Sequence, residues 1–83
     1  MFINKTPDGK NNIAGINISN YRKELHLSQR AFADKLQVLG LDVDKNAIQR
    51  MEAGKRFITD IELVFIAEAL DISITDLLSN GKK

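Results

Sequence analysis

The chain has 83 residues, enough for one domain with a single modest core and too few for two. Its 43% apolar and 28% charged residues fit a folded, soluble protein and exclude a disordered one. With no cysteine and a single histidine, His26, disulfides are excluded and a structural zinc or a Cys/His catalytic pair has no ligands to draw on.

A membrane span is not expected, because the longest uninterrupted apolar run, Leu63 to Ala67, falls far short of the ~18 residues a bilayer requires. The opening residues "MFINKTPDGKNN" lack the apolar centre of a signal peptide, so a cytoplasmic protein is expected. The net charge of +1 conceals a polarity. Residues 1–56 carry ten basic and six acidic side chains, whereas residues 57–83 carry two basic and five acidic ones. Such a distribution can orient the chain on an anionic surface with its acidic end turned away, although a scatter of solvated charges would look the same.

In chain order, residues 1–12 read as a polar arm containing the only proline and a "PDG" turn, ahead of a folded unit over 13–80. A first helix is predicted from about Ile13 to Leu25, with Ile18, Tyr21 and Leu25 as its apolar stripe. His26 stands where that helix must end and can adopt the left-handed backbone of a cap. As a catalytic or metal-binding residue it would have no partners. Ser28 is an N-cap for a second helix, "QRAFADKLQVL", which buries Ala31, Phe32, Leu36 and Leu39 and stops at Gly40.

Asp44 caps a third helix that spans about 44–53, turns Ala47, Ile48 and Met51 inward and closes at Gly54. After a basic loop, "KRFI", Thr59 and Glu62 form a capping box for a fourth helix that runs to about Leu70. Ser73 and Asp76 start a short fifth helix ending near Leu78. No segment alternates with period two, so the fold class is all-α.

Enzymatic chemistry finds no constellation here. The glycines are isolated, no phosphate-cradling loop or Gly-x-Ser-x-Gly elbow exists, and most carboxylates lie at helix starts, where the dipole accounts for them. No metal, no cofactor and no catalytic residue are expected.

The third helix offers more. Lys45, Asn46, Gln49 and Arg50 fall three or four residues apart and share its outward side. Asn and Gln can pair with adenine through two hydrogen bonds, and Arg or Lys can do so with guanine. A helix carrying that set in its N-terminal half suits major-groove readout, although a merely solvated polar face would carry similar residues.

The run "LSQRAFADKLQ…NAIQRMEAGKR" followed by "DIELVFIAEALDISITDLL" resembles the Cro and phage-repressor (Xre-like) helix-turn-helix family over roughly Ile13 to Leu78. The resemblance implies a five-helix lambda-repressor-like domain behind a short flexible arm. It departs from the family in "QVLGLDV", which makes the connection between the second and third helices longer than the usual tight turn.

By the same resemblance, Lys45, Asn46, Gln49 and Arg50 would meet base edges. Gln29, Lys55 and Arg56 would contact the DNA backbone, and Arg22 would pair structurally with Glu52. Lys5 and Lys10 could reach the DNA, although an unstructured tail is the simpler account of the arm. The implied function is sequence-specific binding of double-stranded DNA to regulate transcription, as a repressor that occupies its operator. A protein-interaction module, such as the antitoxin of a toxin–antitoxin pair, is the alternative. The apolar surplus of the fourth and fifth helices, Ile61, Leu63, Val64, Phe65, Ile66, Leu70, Ile74, Leu77 and Leu78, points to a homodimer through the C-terminal helices. A core could use the same residues.

Overall fold

The computed structural model describes residues 5–7 and 9–79, which form α1 (Gly15–Glu24), α2 (Gln29–Leu39), α3 (Lys45–Glu52), α4 (Asp60–Leu70) and α5 (Ile74–Leu78). No strand occurs among the described residues, and the class is all-α as the periodicity predicts.

Side-chain caps start the last four helices. Ser28 accepts from the Ala31 N–H, Asp44 from that of Ala47 and Ser73 from that of Asp76. Thr59 and Glu62 form a reciprocal capping box. Each of these side chains satisfies an N–H that the first helical turn would otherwise leave without a partner.

The first four helices end in one pattern. After α1, Leu27 N–H donates to Arg22 O and His26 N–H to Lys23 O, with His26 left-handed at φ 58°. The same pair of bonds closes α2 at Gly40, α3 at Gly54 and α4 at Asp71. These are Schellman closures, which return orphan carbonyls to the chain's own N–H groups. Gly40, at φ 113°, adopts a conformation that a side chain would strain. His26 and Asp71 tolerate the milder left-handed region.

The core is built from Ile18, Phe32, Leu36, Ile48, Met51, Ile66 and Leu77, all fully buried. It brings α3 against α1 and α2, α4 against α2 and α1, and α5 against α1 and α4. Close packing of this kind fixes α3 through Ile48 and Met51 while its other side faces solvent.

Two expectations need correction. Leu25 is 43% exposed and does not continue the α1 stripe. The Schellman turn at His26 carries the chain away from the core there, and Leu27 packs against the core instead. The α1 register places Arg22 in the interior. Helix α1 also begins at Gly15, leaving Ile13 exposed.

In "QVLGLDV" the first three residues belong to α2, so the connection to α3 comprises residues 40–44 only. It is anchored by buried Val43, half-buried Leu41 and a 2.6 Å bond from Gln37 Nε2 to Val43 O. Asn11 and Asn12, at the inner end of the polar arm, are bonded to the segment that follows α3. The polar composition of residues 1–12 gives no hint of that attachment.

Candidate nucleic-acid interface

Helix α3 has an apolar side and a polar side of opposite fates. Ile48 and Met51 are buried and Ala47 is half-buried, whereas Lys45, Asn46, Gln49 and Arg50 are all exposed. Among the described residues, none of those four side chains makes a hydrogen bond or ion pair. Their donors and acceptors are available to an external ligand, on a backbone that the core holds still.

Behind α3, Arg22 and Glu52 meet. Arg22 Nε donates to Glu52 Oε2 at 2.6 Å and Nη2 to Oε1 at 3.0 Å, while Nη1 donates to Leu27 O at 2.7 Å. Such a bidentate pair is geometrically demanding and strong when buried. Gln29 Nε2 joins the same carboxylate at 3.1 Å. Glu52 therefore ties the end of α3 to α1 and to the start of α2. The Gln29 amide, assigned by resemblance to the DNA backbone, is committed to Glu52 in the unbound protein. Ser28 takes the Ala31 and Phe32 N–H groups, so at the start of α2 only the N–H groups of Gln29 and Arg30 remain for an anion.

The two basic loop residues differ from each other. Lys55 is exposed, and its side chain has no partner among the described residues. Arg56 is bound by Glu62, with Nη1 3.0 Å from Oε1 and Nη2 2.9 Å from Oε2. Burial pushes the Glu62 carboxyl up. The hydrogen bond from Arg56, the Thr59 N–H, the Arg56 charge and the Thr59 side chain outweigh burial and hold it below its ordinary value. Glu62 thus serves at once as capping-box carboxylate and as clamp on Arg56.

Sequence reasoning missed Asn11 and Asn12. Asn12 Nδ2 donates to Met51 O at 3.1 Å and to Arg56 O at 2.7 Å, and its Oδ1 accepts from Gly15 N–H at 2.8 Å. Asn11 Nδ2 donates to Lys55 O at 2.9 Å. One local signal was present, an N-cap residue type three positions ahead of Gly15. The bonds to the loop left no trace in the sequence pattern.

No group of three or more His, Cys, Asp or Glu that could hold a metal ion occurs among the described residues. No helix among them is long and apolar enough to cross a membrane.

Comparison with known proteins yields the same architecture. No curated protein matches the chain significantly. Among solved structures, the restriction-modification controller protein C.AhdI from Aeromonas hydrophila is similar, with a TM-score of 0.68 and 25% identity over 77% of this chain and 86% of that one. The P22 c2 repressor, solved in complex with synthetic operator 9T, is similar with a TM-score of 0.70 and 25% identity, over 83% of this chain and 97% of that one. The clp gene regulator ClgR from C. glutamicum shares the fold, with a TM-score of 0.69 and 20% identity over 80% and 79% of the two chains. A helix-turn-helix family model matches residues 18–77, from the middle of α1 into α5, with α3 and its exposed polar side at its centre. The chain belongs to this helix-turn-helix family of DNA-binding regulators, of the Xre/Cro type.

Proposed function

We propose that the protein is a sequence-specific double-stranded DNA-binding transcriptional regulator, a repressor that acts by occupying its operator with α3 in the major groove. The carrying observation is the α3 surface, where Lys45, Asn46, Gln49 and Arg50 are exposed and uncommitted opposite a fully buried anchor. The likeness to the P22 c2 repressor, solved on an operator, supports the reading. Catalysis, a cofactor and a metal play no part in it, and its place is the cytoplasm, where the DNA is.

Base readout would come from those four residues. Replacing Asn46 or Arg50 by alanine should weaken binding to an operator selected from random duplexes by about 1–3 kcal/mol and relax preference at one or two base pairs. Parental affinity in both variants, measured by gel shift, would show that the reading face had been misassigned.

Backbone anchoring is assigned to the start of α2 at Gln29 and to the loop at Lys55 and Arg56. Lys55→Ala should weaken binding to operator and random DNA alike, and lower the slope of log affinity against log salt by about one unit. Arg56→Ala should change the slope less, because Glu62 already offsets much of its charge. A Lys55 variant with unchanged salt slope and lost discrimination contradicts the assignment.

A single short helix reads only a few base pairs, so two subunits on half-sites about one turn apart are expected. The C-terminal helices supply a surface for this. Ile66, Leu70 and Leu77 fill the core, but Ile61 and Val64 on α4 are 65% and 55% exposed, and Ile74 and Leu78 on α5 remain accessible. Exposed apolar side chains on adjoining helices suit a two-fold contact. The same surface could hold a partner protein, as in the antitoxin reading. Sedimentation with a palindromic operator should give two subunits per duplex, and a single subunit at saturation rules the dimer out.

A further inference from the structure

The inner arm grips the end of α3 and the basic loop. Asn11 donates its backbone N–H to Gly54 O at 2.7 Å and its side-chain amide to Lys55 O. Asn12 donates to both Met51 O and Arg56 O. Every carbonyl from Gly54 to Arg56 is therefore taken by two consecutive asparagines more than forty positions away. Above this contact lies the Lys10 stem, so close to Gly54 that a Cβ there would come within 2.8–2.9 Å of its carbons. The loop is also tied by the closing bonds of α3, the Arg56–Glu62 pair and the packing of Ile58 against the core.

We propose that Asn11 and Asn12 are positioning residues for the phosphate-binding loop: they fix where Lys55 and Arg56 meet the DNA backbone without touching DNA themselves. This rests on the DNA-binding reading above. A loop held in place before binding does not lose its conformational freedom at that moment, so each phosphate contact is retained at full strength. The grip touches α3 only at the Met51 carbonyl in its last turn, and the buried Ile48 and Met51 side chains and the Glu52–Arg22 pair hold that helix independently. Its removal should therefore act on the sequence-independent part of binding.

Two variants separate this role from a loss of folding. Asn12→Ser keeps a hydroxyl acceptor for the Gly15 N–H, as Ser28 and Ser73 provide for their own helices, and removes the donations to Met51 O at the end of α3 and to Arg56 O in the loop. Asn11→Ala removes only one exposed side-chain bond, leaves the backbone bond to Gly54 in place, and decides the matter if Asn12→Ser does not fold. In the unbound protein, amide exchange at 54–57 should accelerate while core amides at Ile48 and Ile66 keep parental protection. Unchanged exchange in the loop overturns the proposal. On DNA, both variants should lose about five- to tenfold in affinity for operator and random duplex alike, with a salt slope lowered by about one unit. Parental affinity and slope, or a loss confined to the operator-to-random ratio, overturns it as well. A parental protein that binds neither duplex overturns the DNA-binding reading itself, a result distinct from any difference between parent and variant.

Discussion

Glu52→Ala should lower the stability of the domain by about 3–5 kcal/mol, the cost of leaving a buried charge without its partner. The side chains of Arg22 and Glu52 are only 9% and 8% exposed, so solvent screening does not discount the pair as it would at the surface. After the substitution, Arg22 keeps only the Leu27 carbonyl, and the Gln29 amide loses its partner. Against a total of about 5–15 kcal/mol for a typical domain, the loss is a large fraction. A urea melt would measure it, and a change under about 1 kcal/mol would contradict the argument. The paired variant Arg22→Met with Glu52→Leu should recover most of the loss, because apolar side chains of similar volume remove the stranded charge rather than expose it. If the double variant were as unstable as the single one, the pair would matter for its geometry and not for its charge.

Gly15→Ala should be destabilising by about 3 kcal/mol, the upper end for forcing a methyl group into a packed site. The sign is the informative part. In an exposed helix interior the same change would stabilise by nearly 1 kcal/mol through helix propensity. Gly15 has no such freedom, since a Cβ there would stand 2.1 Å from Met51 O and 2.8 Å from Asn12 Oδ1. Met51 O is backbone inside α3 and cannot swing aside, so α1 would have to lift off the end of α3. Thermal unfolding decides between the two effects, and a raised midpoint would show that α1 can shift cheaply.

The contrast between these two sites shows what the sequence could reveal. Helix starts were legible because a cap acts over three residues, and Ser28, Asp44, Thr59 and Ser73 each accept the N–H that their spacing implies. His26 could be placed as a left-handed cap on the same local grounds, whereas Asp71, which plays the equal part after α4, carries no signal that separates it from a helix-flanking acid. Exposure of Lys45, Asn46, Gln49 and Arg50 follows from helical periodicity once Ile48 and Met51 are taken as core. What stayed hidden joins positions that no single helix or cap relates. Nothing in the pattern around Asn12 distinguishes a polar tail from a bridge to Arg56, and nothing around Arg56 reveals that Glu62 holds it. Leu25 was misread because an apolar stripe extrapolates past the turn at which the helix stops.

The connection between α2 and α3 has a consequence for the thermodynamics of binding. Extra residues in a slack loop are cheap, because doubling its length adds only about 0.6 kcal/mol of closure entropy. Residues 40–44 are not slack, since Val43 is buried, Gln37 holds the Val43 carbonyl and Gly40 is fixed in its left-handed turn. Ordering such a segment costs about 1–2 kcal/mol per residue in backbone freedom, and that cost is met during folding. The segment therefore acts as a strut and not as a hinge. Helix α3 reaches a ligand with its tilt already set, and the angle at which it is presented becomes a property of the apolar contacts beneath residues 41–43, separable from the identity of its exposed side chains.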